Sequence, residues 1–96
     1  MSVVPNPTPL EPALQRSIAQ AKNDLARRLA IPIDQVELVE AQSVTWPDKG
    51  LGCPQPGMEY LQVQVEGLLI RLRARGRLYE YHSGGDRPPF LCESGQ

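Results

Sequence analysis

Leu14, Ile18, Ala21, Leu25 and Leu29 recur at three- and four-residue steps, which lines them along one face of a helix. Arg16, Gln20, Lys22, Asn23, Arg27 and Arg28 take the other faces. Two starts compete for this helix. Thr8 and Glu11 have capping-box spacing, but Pro12 would then fall in the fourth helical position, where its ring begins to clash. Opening the helix at Pro12, directly after Glu11, removes the conflict. Arg27 and Arg28 suit the negative end of the helix dipole, and Pro32 stops the helix.

Beyond Pro32 the pattern shortens to the two-residue period of strands. Residues 36–46 are rich in β-branched side chains. Val36, Leu38, Val44 and Trp46 share one parity, whereas Val39 and Ala41 share the other. That switch predicts a bulge near Val39, Glu40 and Ala41. Leu61, Val63 and Val65 alternate with Gln62 and Gln64 and predict a half-buried strand, closed by a tight turn at Glu66 and Gly67. Leu68, Ile70, Leu72 and Ala74 then point inward, with Arg71 and Arg73 outward. Arg75 and Gly76 make a second turn, and 78–82 the next strand. Residues 83–89 read as a loop, and Phe90, Leu91 and Cys92 as a short closing edge strand.

The expected fold is α+β, one N-terminal helix packed on a 4–5-stranded antiparallel meander sheet. Pro5, Pro7 and Pro9 mark 1–11 as an extended, Pro-rich lead. Residues 12–93 form a single domain and 94–96 a disordered tail. With 96 residues there is material for one thin core only.

Charge removes some classes of function. Ten basic and eleven acidic residues leave a net charge of −1, so no bulk field draws nucleic acid or an anionic surface. Arg71, Arg73, Arg75 and Arg77 cluster at one hairpin, where a solvated strand face is the better reading. The stretch 63–72 is interrupted by Gln64, Glu66 and Arg71, which argues against membrane insertion. The N-terminus has no basic n-region and no long apolar run. A cytoplasmic chain is therefore expected, secreted only if a signal was removed.

The chemistry concentrates between residues 44 and 60, which hold the single Trp, one of the two Cys, and several Gly and Pro. Gly and Pro fix backbone geometry, so this loop is specified rather than slack. Cys53 and Cys92 lie too far apart in sequence for a local CxxC unit, and a single His makes a metal site a poor fit. They form either a disulfide or two thiols packed as small hydrophobes. A Cys-His hydrolase would use Cys53, His82, and Asp48 or Asp86. Pro54 then removes an N–H useful to an oxyanion hole, and no helix begins at Cys53 to activate the thiol. Tyr79 and Tyr81 share one strand face, with Leu78, Glu80 and His82 on the other. They form either an aromatic ladder, with His82 bonded to a nearby loop, or a docking surface extended by Trp46.

Trp46-Pro47-Asp48, Leu51-Gly52-Cys53-Pro54-Gln55-Pro56-Gly57 and Tyr60, followed by Tyr79-Glu80-Tyr81-His82 and Cys92, resemble a family of small bacterial proteins of unknown function. Its signature is W-P-D-x-x-L-G-C-P-x-P-G-x-x-Y, then a hairpin, Y-E-Y-H and a closing Cys. The resemblance covers 36–92 well and the helix loosely, and it implies no reaction. The helix-then-meander order is also similar to small PepSY-type inhibitor or binding domains.

The sequence therefore points to a non-enzymatic protein-binding or accessory module that uses the 46–60 Gly/Pro loop and the Tyr79/Tyr81 strand, with no cofactor and no metal. Trp46, Asp48, Gln55, Tyr60, Tyr79, Tyr81 and His82 are its candidate binding residues. The expected partner is a protein. The alternatives are a thiol/disulfide-responsive protein acting through Cys53 and Cys92, and a small Cys-His hydrolase.

Overall fold

The computed structural model describes residues 12–53 and 57–92. The lead at 1–11, the tail at 94–96 and Gln55 lie outside them. Helix α1 spans Pro12–Leu29, and a single 3-10 turn, Ile33–Gln35, leads into the sheet. The strands are β1 (Glu37–Trp46), β2 (Val65–Ala74), β3 (Arg77–Gly84) and β4 (Arg87–Cys92). They pair antiparallel in chain order, with β1 and β4 at the edges. The fold is α+β, with four strands among the described residues.

α1 starts at Pro12, whose fixed φ and missing N–H suit the first helical position. It stops in a Schellman turn. Ala30 takes φ 57 and Ile31 donates back to the Ala26 carbonyl at 3.0 Å. Ala21, Leu25 and Ala26 of α1 are buried against Ile70, Leu72, Ala74 and Tyr81 of the sheet. Removing Leu25, Ile70 and Leu72 completely from water contributes about 2 kcal/mol each. The Tyr81 hydroxyl donates to Asp24 Oδ2 at 2.7 Å, so a polar bond joins the two layers as well.

Three expectations need correction. Residues 61–64 are not part of the sheet: β1 ends with Trp46 opposite Val65, so no paired strand lies beside them. Glu66 and Gly67 are not a turn, because β2 runs straight through both. Residues 83–89 are not one loop. β3 continues to Gly84, a two-residue turn follows, and β4 starts at Arg87. The bulge does fall where the parity switches, between Leu38 and Glu40.

Candidate functional site

The sheet's second face is covered by chain rather than by a helix. Register places Glu40, Arg71, Glu80 and Cys92 in one row across the strands. Gln42, Leu69, His82 and Phe90 form the next, followed by Val44, Gly67 and Gly84. Trp46 ends β1 and lies over these rows. Its ring stacks on His82, and its Nε1–H donates to the Ser83 carbonyl at 2.8 Å. This approach is possible because β2 carries Gly67 there. A Cβ on Gly67 would run into the Ser83 carbonyl and Trp46 Nε1. The glycine that suggests a turn in the sequence instead clears space for the indole.

Residues 47–53 then fold back over the sheet. Asp48 Oδ1 accepts from the Gly50 N–H at 2.8 Å, and the Asp48 carbonyl accepts from the Leu51 N–H at 3.2 Å. Asn and Asp make this local turn because their short side chains reach the backbone two residues ahead. Leu51 takes φ 55, a left-handed conformation that costs a non-glycine residue roughly 1–2 kcal/mol. Its side chain is 1 % exposed, and its carbonyl accepts from His82 Nδ1–H at 2.8 Å. These contacts hold the strained residue in place. Cys53 is bonded to Cys92, with Cα atoms 5.9 Å apart. We call residues 46–53 the clasp.

His82 is nearly enclosed, at 5 % exposure, between Trp46 on one face and the edge of Phe90. A carbonyl can only accept, so Nδ1 carries the proton shared with Leu51. Nε2 faces Glu80 Oε1 at 3.1 Å. Glu80 also accepts from Arg71 Nε at 3.0 Å, and Arg71 reaches Glu40 at 2.9 Å. The hydrogen bond from His82, with Arg71 beside it, holds the Glu80 carboxyl below its usual range against the opposing effect of burial. On the helix side, burial raises the Asp24 carboxyl, but the Tyr81 hydrogen bond and Arg28 outweigh it and leave the group lowered. Burial, then Asp24, pushes the Tyr81 hydroxyl well up.

The structure divides the expected site residues. Trp46, Asp48, Cys53, His82 and Cys92 come together in the clasp. Tyr81 is fully buried on the opposite face, so it offers no docking surface. Tyr79 is half-buried against the same core, with Arg77 over its ring at 5.8 Å. Tyr60 is half-buried against Gly50 of the clasp. The hydrolase is not assembled, because Cys53 Sγ is bonded to Cys92 and both His82 nitrogens are engaged. Among the described residues no group of three or more His, Cys, Asp or Glu is placed to hold a metal ion. No helix among them is long and apolar enough to cross a membrane.

Sequence reasoning missed the most exposed apolar run. After Gly57 the chain carries Met58, Leu61 and Val63 at 60 %, 66 % and 47 % exposure. The alternation of 61–65 is that of a half-buried strand, which predicts Leu61 and Val63 inward. The backbone is nonetheless fixed to the clasp, since the Lys49 N–H donates to the Leu61 carbonyl at 3.0 Å.

Residues 18–92 match a family described as a domain of unknown function, DUF8738. The chain belongs to this family. The DUF8738 match starts at Ile18 and ends at Cys92, so it includes both ends of the disulfide, the clasp and all four strands. No curated protein and no solved structure matches the chain.

Proposed function

We propose that this DUF8738 chain is a non-enzymatic binding module that presents residues 57–64 to a protein partner. The observation that carries the reading is Leu61. Its backbone is tied to Lys49 while its side chain is 66 % exposed, flanked by exposed Met58 and Val63. Large apolar side chains grouped on a surface mark interaction sites, and an anchored backbone loses less entropy on binding than a free one. The working surface, expected to combine the 46–60 loop with the Tyr79/Tyr81 strand, thus narrows to residues 57–64, which include Tyr60. The W-P-D signature as the mark of the family, and its bacterial source, belong to the same proposal.

A photo-reactive residue placed at Leu61 tests this in the organism that makes the protein. The expected result is a crosslinked partner from Leu61 and none from Ile33, an exposed apolar control remote from the loop. Equal crosslinking from both positions, or none from Leu61, contradicts it.

A second reading is favoured by the Cys53–Cys92 bond itself. Reduction would release the clasp from β4 and with it the frame behind Leu61, making binding thiol-dependent. The bond also bears on location. Disulfides persist in oxidising compartments, so we place the working protein there rather than in the cytoplasm. Binding unchanged by a reductant removes the switch and leaves the bridge structural.

A further inference from the structure

On the helix side, α1 and edge strand β1 enclose a groove of about 630 Å³. That volume lies in the range of small-molecule sites, about 300–1,000 Å³. Leu14 and Ile18 form its α1 wall. The bulge in β1 forms the other, turning two successive apolar residues, Leu38 and Val39, toward the opening at 39 % and 41 % exposure. Along α1 the groove runs from Leu14 to Lys22, a rise of about 12 Å.

Two charged residues line it, and they differ. Glu40 lies in register with Arg71 on the sheet's other face, where it shares that guanidinium with Glu80 and accepts from Gln42 at 2.9 Å, so its carboxylate is turned away from the groove. Lys22 has no ion-pair partner among the described residues, whereas the next two cations of the helix, Arg27 and Arg28, share Asp24. The groove therefore combines apolar walls with one positive charge, Lys22, that has no ion-pair partner among the described residues.

We propose that it binds an unbranched alkyl carboxylate, with the chain along Leu14, Ile18, Leu38 and Val39 and the carboxylate at Lys22. The charge decides the head group, since an ammonium there pairs with a carboxylate and repels a cation. An extended peptide is the weaker fit. It would need a regular strand edge, and the bulge breaks the ladder at the groove. This site shares no residue with the 57–64 surface and stands or falls without it.

The test is a titration of the isotope-labelled full chain with decanoate, kept below its micelle concentration, and in parallel with decan-1-ol. Saturable shifts at the amides of Ile18, Lys22, Leu38 and Val39 are expected. Lys22→Gln should weaken decanoate about fivefold and leave the alcohol unchanged. Val39→Asp, at an exposed position, should abolish both. The absence of saturable shifts at these residues overturns the proposal, as does equal weakening of both ligands by Lys22→Gln. Contacts from the groove to residues 1–11, or to a second copy of the chain, give it to those occupants and overturn the proposal too.

Discussion

Trp46 lies almost flat on His82, with ring centroids 4.6 Å apart and planes 21° apart. Trp46 closes β1 and His82 sits on β3, so the stack spans β2 and needs Gly67 beneath it. It joins the beginning of the clasp to the strand against which the clasp closes. Trp46→Phe keeps an aromatic ring but loses the bond to Ser83 and part of the buried area. The expected cost is about 2 kcal/mol in urea unfolding. A change below about 0.5 kcal/mol, the range of ordinary surface substitutions, contradicts the anchoring role.

Gly67→Ala and Gly76→Ala separate space from conformation. Gly76 has φ 76 but open surroundings, so alanine there pays only for the left-handed backbone, about 1 kcal/mol. At Gly67 the new methyl meets the Ser83 carbonyl and the indole, and the cost should be about 3 kcal/mol. The two thermal midpoints, measured side by side, check the order. Equal losses would contradict the close approach of the Ser83 carbonyl and Trp46 to Gly67.

Much of this arrangement was legible in the sequence. Pro12 fixed the helix start through its missing N–H, and the parity switch at Val39 located the bulge. The alternation that sets Tyr79 and Tyr81 on one face and His82 on the other holds, and of the two roles it leaves open the structure has the loop-bonded His, with Leu51 of the clasp as the partner. Which face would be covered by the helix was not legible, because alternation defines two faces without saying what covers each. The pattern therefore leaves Tyr81 open to a surface role, although Asp24, far away in sequence, holds its hydroxyl. Residues 61–64 carry a strand pattern without a strand for a related reason. Alternation records strand preference, whereas pairing requires a neighbour, and β1 runs out at Trp46. Gly67 suggests a turn in the sequence because close approach by a side chain leaves no local mark.

The double change Cys53→Ser, Cys92→Ser opens a loop closed across a sequence separation of 39. On the chain-entropy model this costs about 4 kcal/mol. In a domain of this size the midpoint should fall by about 20 °C. A drop of only a few degrees would show that Trp46, Leu51 and His82 hold the clasp without the bond.

Acid should loosen the fold in a defined direction. Glu80 and Asp24 both have lowered pKa values, from ordinary values of 4.5 and 3.8. A depressed carboxyl contributes stability above its unfolded value and loses it as pH falls through the folded one. The melting temperature should thus vary little between about pH 7 and 5 and fall toward about pH 3. Glu80→Gln should lower it at neutral pH and narrow the gap to the parent in acid. A gap that widens in acid contradicts the Glu80 pairing with His82 and Arg71.

The central claim is that the clasp is closed covalently in the working protein and so holds Met58, Leu61 and Val63 outward from a fixed frame. Alkylation of the protein taken from the organism that makes it, followed by intact mass, tests this most directly. If the claim holds, the chain takes up no alkyl group before reduction and one on each of its two cysteines afterwards. Two alkyl groups before reduction would contradict it.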